Sequence, residues 1–423
     1  MDFLGRYKTL LIIIMVGAML IAIAYKGHQA QLQKEREYQE EAERIEAELE
    51  KETYRTEEAI LKRLEEAIIE SEEDNVYMRV PDRFSEKDIE KIAGKIDPFI
   101  GRVKSYTYTT TTTTNTYLDG SKSDPIPDAY VGVNYKYEKR DEFYVYQAIV
   151  EGKPIPSDKE NANKLKSVCE KFMKENINSS MTDYDKELAI HDYIIENCEY
   201  SFSDGKDDTE FEAYGALVNH KAVCSGYSLA AELLLKCCGI EATFVTGDSK
   251  TDRTAEIENP YGPSQNGVIQ MDDGRIIEGH AWNQVKIGGI WYNLDVTWDD
   301  PLSEDGDVLD HYFFNVDDTI LAKDHDWDTS KTERCSSTIS NYYEKNGIFF
   351  KTDEGFQNYI KSQLESGYRD PVECAVTTVD TSEEQMSFIF GYDGITSYQI
   401  GSFGEDGYKI ITIYFNPSGA EGE

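Results

Sequence analysis

The chain divides first by where its apolar residues fall. Leu10 to Ala24, within "RYKTLLIIIMVGAMLIAIAY", is one apolar run with Arg6 and Lys8 in front of it. Its length lies between the core of a signal peptide and a full membrane span. From Gln29 to about Asn75 the pattern turns to dense Glu, Lys and Arg with no Gly or Pro. There Ala42, Ile45 and Leu49, then Ile60, Leu64, Ala67 and Ile68, recur at helical spacing. So thin an apolar stripe predicts a solvated helical stalk, able to self-associate as a coiled coil. Residues 1–25 are read as a membrane anchor or signal segment and 26–75 as the stalk.

Beyond Val80-Pro81 the pattern changes again. A short helical stretch (Asp88 to Ile96) precedes three strand-like segments, Tyr106–Tyr117, Tyr130–Tyr137 and Glu142–Ile149, separated by turn residues. The run "TYTTTTTTNTY" fits a strand, because threonine favours strands and tyrosines flank it. Residues 76–155 thus predict a small α+β domain without a catalytic constellation, and "GKPIPSDKEN" (152–161) signals a linker. In "MTDYDKELAIHDYIIENCEY", Thr182 or Asp183 can cap a helix with Leu188, His191, Ile194 and Ile195 on one face. After Cys335, a helix at Glu354–Leu364 and a helical pattern at Glu383–Ile389 alternate with strands at Val372–Val379, Ile395–Ile400 and Tyr408–Phe415. They predict a small C-terminal α/β domain over 335–423.

The block from 160 to 330 carries the candidate chemistry. Ser225 to Cys238 sets Leu229, Ala230, Leu233, Leu234 and Cys237 on one helix face, with Gly239 as the stop. Cys224 falls at or just before the first turn. Free backbone N–H groups and the positive end of the helix dipole favour a thiolate there and can hold an oxyanion. Gly226 is read as leaving that turn open to a substrate. A cysteine alone in this position is more often a small buried hydrophobe, so a base has to be found.

"EGHAWNQVKIGGIWYNLDVTWDDP" supplies one, because Gly288-Gly289 predicts a two-residue hairpin turn. The register pairs Ala281 with Val296, Asn283 with Leu294, Val285 with Tyr292 and Ile287 with Ile290 on an apolar face. The other, polar face pairs His280 with Thr297, Trp282 with Asp295, Gln284 with Asn293 and Lys286 with Trp291. His280 and Asp295 are then diagonal neighbours, ~7–8 Å apart at the backbone and within side-chain reach. A histidine oriented by a carboxylate is a general base with its tautomer fixed. A three-residue turn would put the two on opposite faces.

Charge and cysteine count narrow the partners. A formal net charge of −38 excludes a nucleic-acid partner and disfavours anionic lipid surfaces. Seven cysteines, mostly widely spaced and without a C-x-x-C pair, form neither a disulfide framework nor a zinc-ligand pattern. The acidic loops Asp204–Asp208 and Asp299–Asp307 lack EF-hand spacing and are read as solvated, so no metal or cofactor is expected. By the positive-inside rule everything after Tyr25 is exported. It is then held by a single-pass anchor at the cell membrane, or secreted after cleavage near Ala22-Ile23-Ala24.

Several motifs agree in order and spacing with a known family. "YGALVNHKAVCSGYSLAAELLLKCCGIEATFV", "GHAWNQVKIGGIWYNLDVTWDDP" and "HYFFNVDDTILAKDHDW" closely resemble bacterial transglutaminase-like proteins, a branch of the papain-like cysteine enzymes. "YDKELAIHDYIIENCEY" resembles the helix that precedes that core, so the resemblance covers roughly Thr182 to Trp327. It implies an α+β fold in which the helix bearing the cysteine packs on an antiparallel sheet bearing His and Asp. The small flanking domains and the N-terminal stalk lie outside it. It also implies Cys224 as nucleophile, His280 as base and then acid, Asp295 as orienter, and a thioester resolved by water or by an amine, with no metal. Trp282, Tyr214 and Tyr227 are expected to line the substrate site, while His220 and His191 are given no chemical role. Peptide or isopeptide amides, including cell-envelope peptides, are the substrates that this chemistry and the expected location suggest. The other reading is a non-catalytic surface binding or scaffold module that keeps the fold; an intact Cys/His/Asp set counts against it.

Overall fold

In the computed structural model, described over residues 3–70, 75–110, 130–201, 207–251, 268–270, 276–300, 310–405 and 407–416, the charged pattern begins as helix α1 (Phe3–Lys51). Met15, Val16, Met19, Leu20, Ile21 and Ile23 on it are exposed. Among the described residues no helix is long and apolar enough to cross a membrane. A second helix, α2 (Glu57–Glu70), buries Ile60, Leu64, Ala67 and Ile68. It belongs to a folded unit, and the stalk reading fails for it. Its four apolar residues make a face wide enough to pack, and Tyr137 donates a hydrogen bond to the Ala67 carbonyl at 3.0 Å.

That unit, Met1–Ile96 with Gly101–Glu138, also holds β1 (Asn75–Pro81), α3 (Glu86–Ala93), β2 (Gly101–Thr110) and β3 (Tyr130–Lys139). The strands form a sheet in the order β1-β3-β2. Ser85 and Asp88 close a capping box at the start of α3. Most of the threonine-rich run lies outside the described residues; β2 ends at Thr110.

The second unit, Asp97–Ile100 with Lys139–Glu423, opens with a correction. Glu142–Ile149, strand-like by propensity, lies in helix α4 (Asp141–Val150), which packs against a neighbouring helix, α5 (Glu160–Asn176). Burial of Phe143 and Val145 there overrides local β preference. Helix α6 (Asp183–Asn197) is capped by Thr182, whose box is closed by Asp185. Two short parallel strands, β4 (Glu199–Tyr200) and β5 (Lys221–Ala222), lead to helix α7 (Cys224–Cys237).

Helix α7 lies against a six-stranded sheet. Its strands are β6 (Ala242–Thr251), β7 (Val268–Gln270), β8 (Ile276–Ile287), β9 (Ile290–Leu294), β10 (Phe314–Val316) and, after helix α8 (Asp318–Leu321), β11 (His325–Asp326). The order is β10-β9-β8-β6-β11, with β7 paired to β8. The fold is therefore α+β, with the cysteine-bearing helix packed on an antiparallel sheet. Helix α7 is buried on all sides from Gly226 to Leu235, because α4 and α6 contact it as well; the one-sided reading underestimated this. The hairpin forms in the expected register, from Ile287–Ile290 out to Asn283–Leu294. Gly288 and Gly289 both take positive φ (59° and 84°), as a type I′ turn requires.

The C-terminal elements are α9 (Tyr342–Lys345), β12 (Phe349–Phe350), α10 (Asp353–Glu365), β13 (Val372–Val376), α11 (Glu383–Met386), β14 (Tyr398–Glu405) and β15 (Tyr408–Phe415). Their sheet runs β12-β13-β15-β14. Phe356, Ile360, Leu364 and Cys374 anchor a local core. Ala375, Tyr408 and Ile410, however, share a second core with Val245, Trp282, Tyr312 and Phe313. The C-terminal sheet is thus continuous with the block that holds the site.

Candidate active site

The site is built at the start of α7. Val223 is its N-cap, in extended conformation (φ −97°, ψ 177°) and with no side-chain bond, so Cys224 is the first helical residue. The N–H groups of Gly226 and Tyr227 bond to the Val223 carbonyl. Those of Cys224 and Ser225 have no acceptor among the described residues, as expected for the first positions of a helix. They remain available to a negatively charged oxygen beside the sulfur. Cys224 itself is partly exposed. Gly226 does not open the turn to a substrate as expected. A Cβ there would meet the Glu210 carbonyl at 2.5 Å and the Ala222 Cβ at 2.7 Å, so the glycine serves close packing inside the protein.

Strand β8 brings the base. His280 pairs with Gly247 across β6 and is buried. Its Nε2 lies 2.6 Å from Asp295 Oδ2, and the Cys224 side chain is near enough to add to the pull on its proton. With Nε2 committed to the carboxylate, Nδ1 is the nitrogen left for sulfur. Asp295 follows β9 directly and is fully buried. The ladder stops at Leu294, so Trp282 and Asp295 are not a cross-strand pair. The chain instead turns, and Asp295 Oδ1 accepts the N–H groups of Thr297 and Trp298 at 3.1 and 3.2 Å.

Electrostatics follow from this geometry. Burial alone would lower the pKa of His280, but the Asp295 charge and hydrogen bond, then the Cys224 side chain, raise it well above the ordinary histidine value. Burial likewise pushes Asp295 up, yet His280 and then His325 hold its carboxyl below the usual range. The pair is therefore an imidazolium against a carboxylate, with the Cys224 side chain close by. That is the arrangement a thiolate nucleophile needs.

Residues 170–296 match the family described as the transglutaminase-like superfamily. That stretch resembles a transglutaminase-like core. Kyphoscoliosis peptidase of Mus musculus is 21% identical over 253 residues, covering 58% of this chain and 36% of that protein. The Homo sapiens protein of the same name is 22% identical over 252 residues, with the same coverage. The chain thus spans about a third of the length of these curated relatives. Among solved structures, one described as a TGase superposes with a TM-score of 0.26 at 13% identity, covering 56% of this chain and 55% of that one.

The site also holds a residue that sequence reasoning missed. His325, on β11, places Nε2 3.0 Å from the same Asp295 Oδ2. The only signal was its presence in "HYFFNVDDTILAKDHDW"; nothing local tied it to Asp295. The aromatic residues expected to line the cleft are all buried. Trp282 is 1% exposed and stacks near His280 (centroids 6.0 Å). Tyr227 is 0% exposed and donates to Asp300 Oδ2 at 2.5 Å, and Tyr214 is buried as well. As packed here they present almost no surface to solvent.

The remaining candidates fall elsewhere. His220 is exposed in left-handed conformation (φ 59°), its Nδ1 2.7 Å from the Asn197 carbonyl oxygen. Burial pushes the Cys237 thiol up to about 12 and raises that of Cys238, so both keep the character of packing residues. Asp299, read as part of a solvated loop, is fully buried and 3.2 Å from His191 Nε2; residues 301–309 and 202–206 of the acidic loops lie outside the described residues. Two sets among the described residues bring possible ligand atoms within 4.8 Å of one another: His191/Asp192/His311 and His280/Asp295/His325. In each, histidine nitrogens already bond to a carboxylate, so an ion could enter only by displacing those bonds.

Proposed function

We propose that this protein is a cysteine-type acyl-transfer enzyme, a peptidase or amidase or a protein-glutamine acyltransferase. Its nucleophile is Cys224, its base and acid is His280, and its orienting carboxylate is Asp295. The observation that carries this reading is the buried His280 ring held 2.6 Å from Asp295, near the side chain of Cys224 at a helix N-terminus. The Cys224 thiolate attacks an amide carbonyl, forming a carbon–sulfur bond and an oxyanion that the Cys224 and Ser225 N–H groups can hold. Each such donor is worth ~10²–10³ in rate. Collapse breaks the carbon–nitrogen bond as His280 gives its proton to the leaving amine. Water or a second amine then adds to the thioester and gives its proton to His280; the carbon–sulfur bond breaks and the ion pair is restored.

The amide substrates include peptide and isopeptide bonds, with cell-envelope peptides fitting an exported body. The apolar run ending at Ala24, whose side chains from Met15 to Ile23 stand largely exposed on α1, is the proposed anchor or signal segment. Treatment of the full chain with iodoacetamide near neutral pH tests the nucleophile. Cys224 is expected to react well ahead of Cys237 and Cys238, and the preference should vanish in His280→Ala. Equal labelling of the three thiols would support a binding module that merely keeps the fold.

A further inference from the structure

Asp295 serves two histidines at once. Its Oδ2 meets His280 Nε2 at 2.6 Å and His325 Nε2 at 3.0 Å, while Oδ1 is occupied by two backbone N–H groups. His325 reaches this position through a strand of two residues, paired with Ser249 and Asp248 on the outer side of β6. Gly247 permits the approach, since a Cβ there would meet the Asp326 carbonyl oxygen at 2.3 Å.

The His325 ring is 0% exposed and caged by aromatic rings: Trp298 at 4.5 Å, Trp282 at 5.0 Å and Phe313 at 5.4 Å between centroids. Such a cage would accept a phenyl ring. Yet the ring is an imidazole, its Nδ1 has no partner among the described residues, and its one hydrogen bond goes to Asp295. A carboxylate can only accept, so Nε2 carries the proton. Burial first of all lowers the pKa of His325, which keeps the ring neutral. The charged groups facing it are Asp295, His280 and Asp324, with Asp299 behind Asp295.

We propose that His325 is a positioning residue for the Cys224/His280/Asp295 set: a neutral Nε2–H donor that shares one carboxylate oxygen with His280, fixing its direction and tempering its hold on the His280 proton. This rests on the reading of those three residues as the catalytic set. Two donors on one oxygen divide its charge. With His325 removed, Oδ2 turns its full charge on His280, which keeps its proton to higher pH and yields it less readily to a leaving amine.

The test follows Cys224 alkylation by iodoacetamide against pH in the full chain, read by mass spectrometry at that residue, for wild type, His325→Phe and His325→Gln. His325→Phe fills the cage without a donor and is expected to move the alkaline inflection upward by about one pH unit. His325→Gln, whose carboxamide N–H can reach the same oxygen, is expected to restore it. Identical profiles for wild type and a folded His325→Phe would overturn the proposal while leaving the catalytic set intact. No preferential labelling of Cys224 in the wild type would overturn both. Should His325→Phe fail to fold, histidine ¹⁵N NMR of the wild type decides the point. A neutral Nε2–H tautomer for His325 at pH 7 is expected, and an imidazolium or Nδ1–H tautomer contradicts it.

Discussion

Two histidine–carboxylate networks meet on one turn of the chain, where the Asp299 N–H bonds to the Asp295 carbonyl at 3.2 Å. In the first, ionised Asp295 accepts from His280 and His325. In the second, Asp192 interacts with His191 Nδ1 at 2.9 Å and His311 Nε2 at 3.0 Å, and His191 Nε2 lies 3.2 Å from Asp299. Although burial pushes Asp192 up, bonds from His191 and His311 hold it at about 2. Burial, then the charge of Asp310, drives Asp299 far the other way. The parts are the same, but their surroundings differ. Both nitrogens of His191 end on carboxyl groups, and the His311 ring lies flat on Tyr342 at 3.7 Å. His280 keeps one nitrogen for a sulfur. A histidine–aspartate pair becomes a candidate for chemistry only where a reactive atom occupies its free end.

Substitutions can break this contrast. Asp295→Asn is expected to lower amide turnover by ~10²–10⁴-fold, measured as product release from a responsive peptide, because it removes the charge that orients His280. Asp299→Asn should change the same rate by less than about two-fold, since its carboxamide can still reach His191 and the side chain makes no bond to His280. A large loss from Asp299→Asn with little from Asp295→Asn would reverse the roles assigned to the two networks. Asp192→Ala strips two buried histidines of their acceptor. It should cost about 1–3 kcal/mol in urea denaturation while Cys224 labelling in the folded protein stays as fast as before.

A smaller effect separates the catalytic charges from buried carboxyls that have none to offer. Burial raises Glu142 to about 7 and Glu187 and Glu232 to about 8. Their folded values exceed the unfolded ones, so the folded state binds more protons at neutral pH and stability falls as pH rises from about 5 to 8. His280 adds in the same direction: its contribution is complete below its unfolded pKa of about 6.5 and fades as pH climbs toward its raised value. Asp295 opposes only in acid, because its depressed value withdraws stability below about pH 4. Urea midpoints should therefore be higher at pH 6 than at pH 8, and Glu187→Gln should flatten the slope. A midpoint that rises with pH across that range would refute the assignment.

The parts of the site set by local rules were legible in the sequence. Gly288-Gly289 dictates a two-residue turn, and that turn alone fixes the register that brings His280 toward Asp295. Gly239, at positive φ, and the apolar run before it define a helix whose first residue is Cys224. What stayed hidden depends on distant packing. His325 sits on a two-residue strand placed only by its pairing with β6. Asp299 looks like one more acidic loop residue until Phe313 and His191 enclose it. The segment at Glu142–Ile149 has strand-like composition and becomes a helix because α5 and α7 pack on it. The C-terminal sheet reads as a separate domain, yet Tyr408 reaches the Tyr312 carbonyl at 3.2 Å and joins the core beneath Trp282.

The central claim is that Cys224 forms a thioester. Intact-mass spectrometry of the full chain, quenched in acid after exposure to a library of glutamine-containing and isopeptide-linked peptides, addresses it directly. The expected result is a single acyl adduct on Cys224 that hydroxylamine removes and that Cys224→Ala never forms. An adduct on Cys237 or Cys238 instead, or the same peptide turnover in Cys224→Ala as in the wild type, would contradict it.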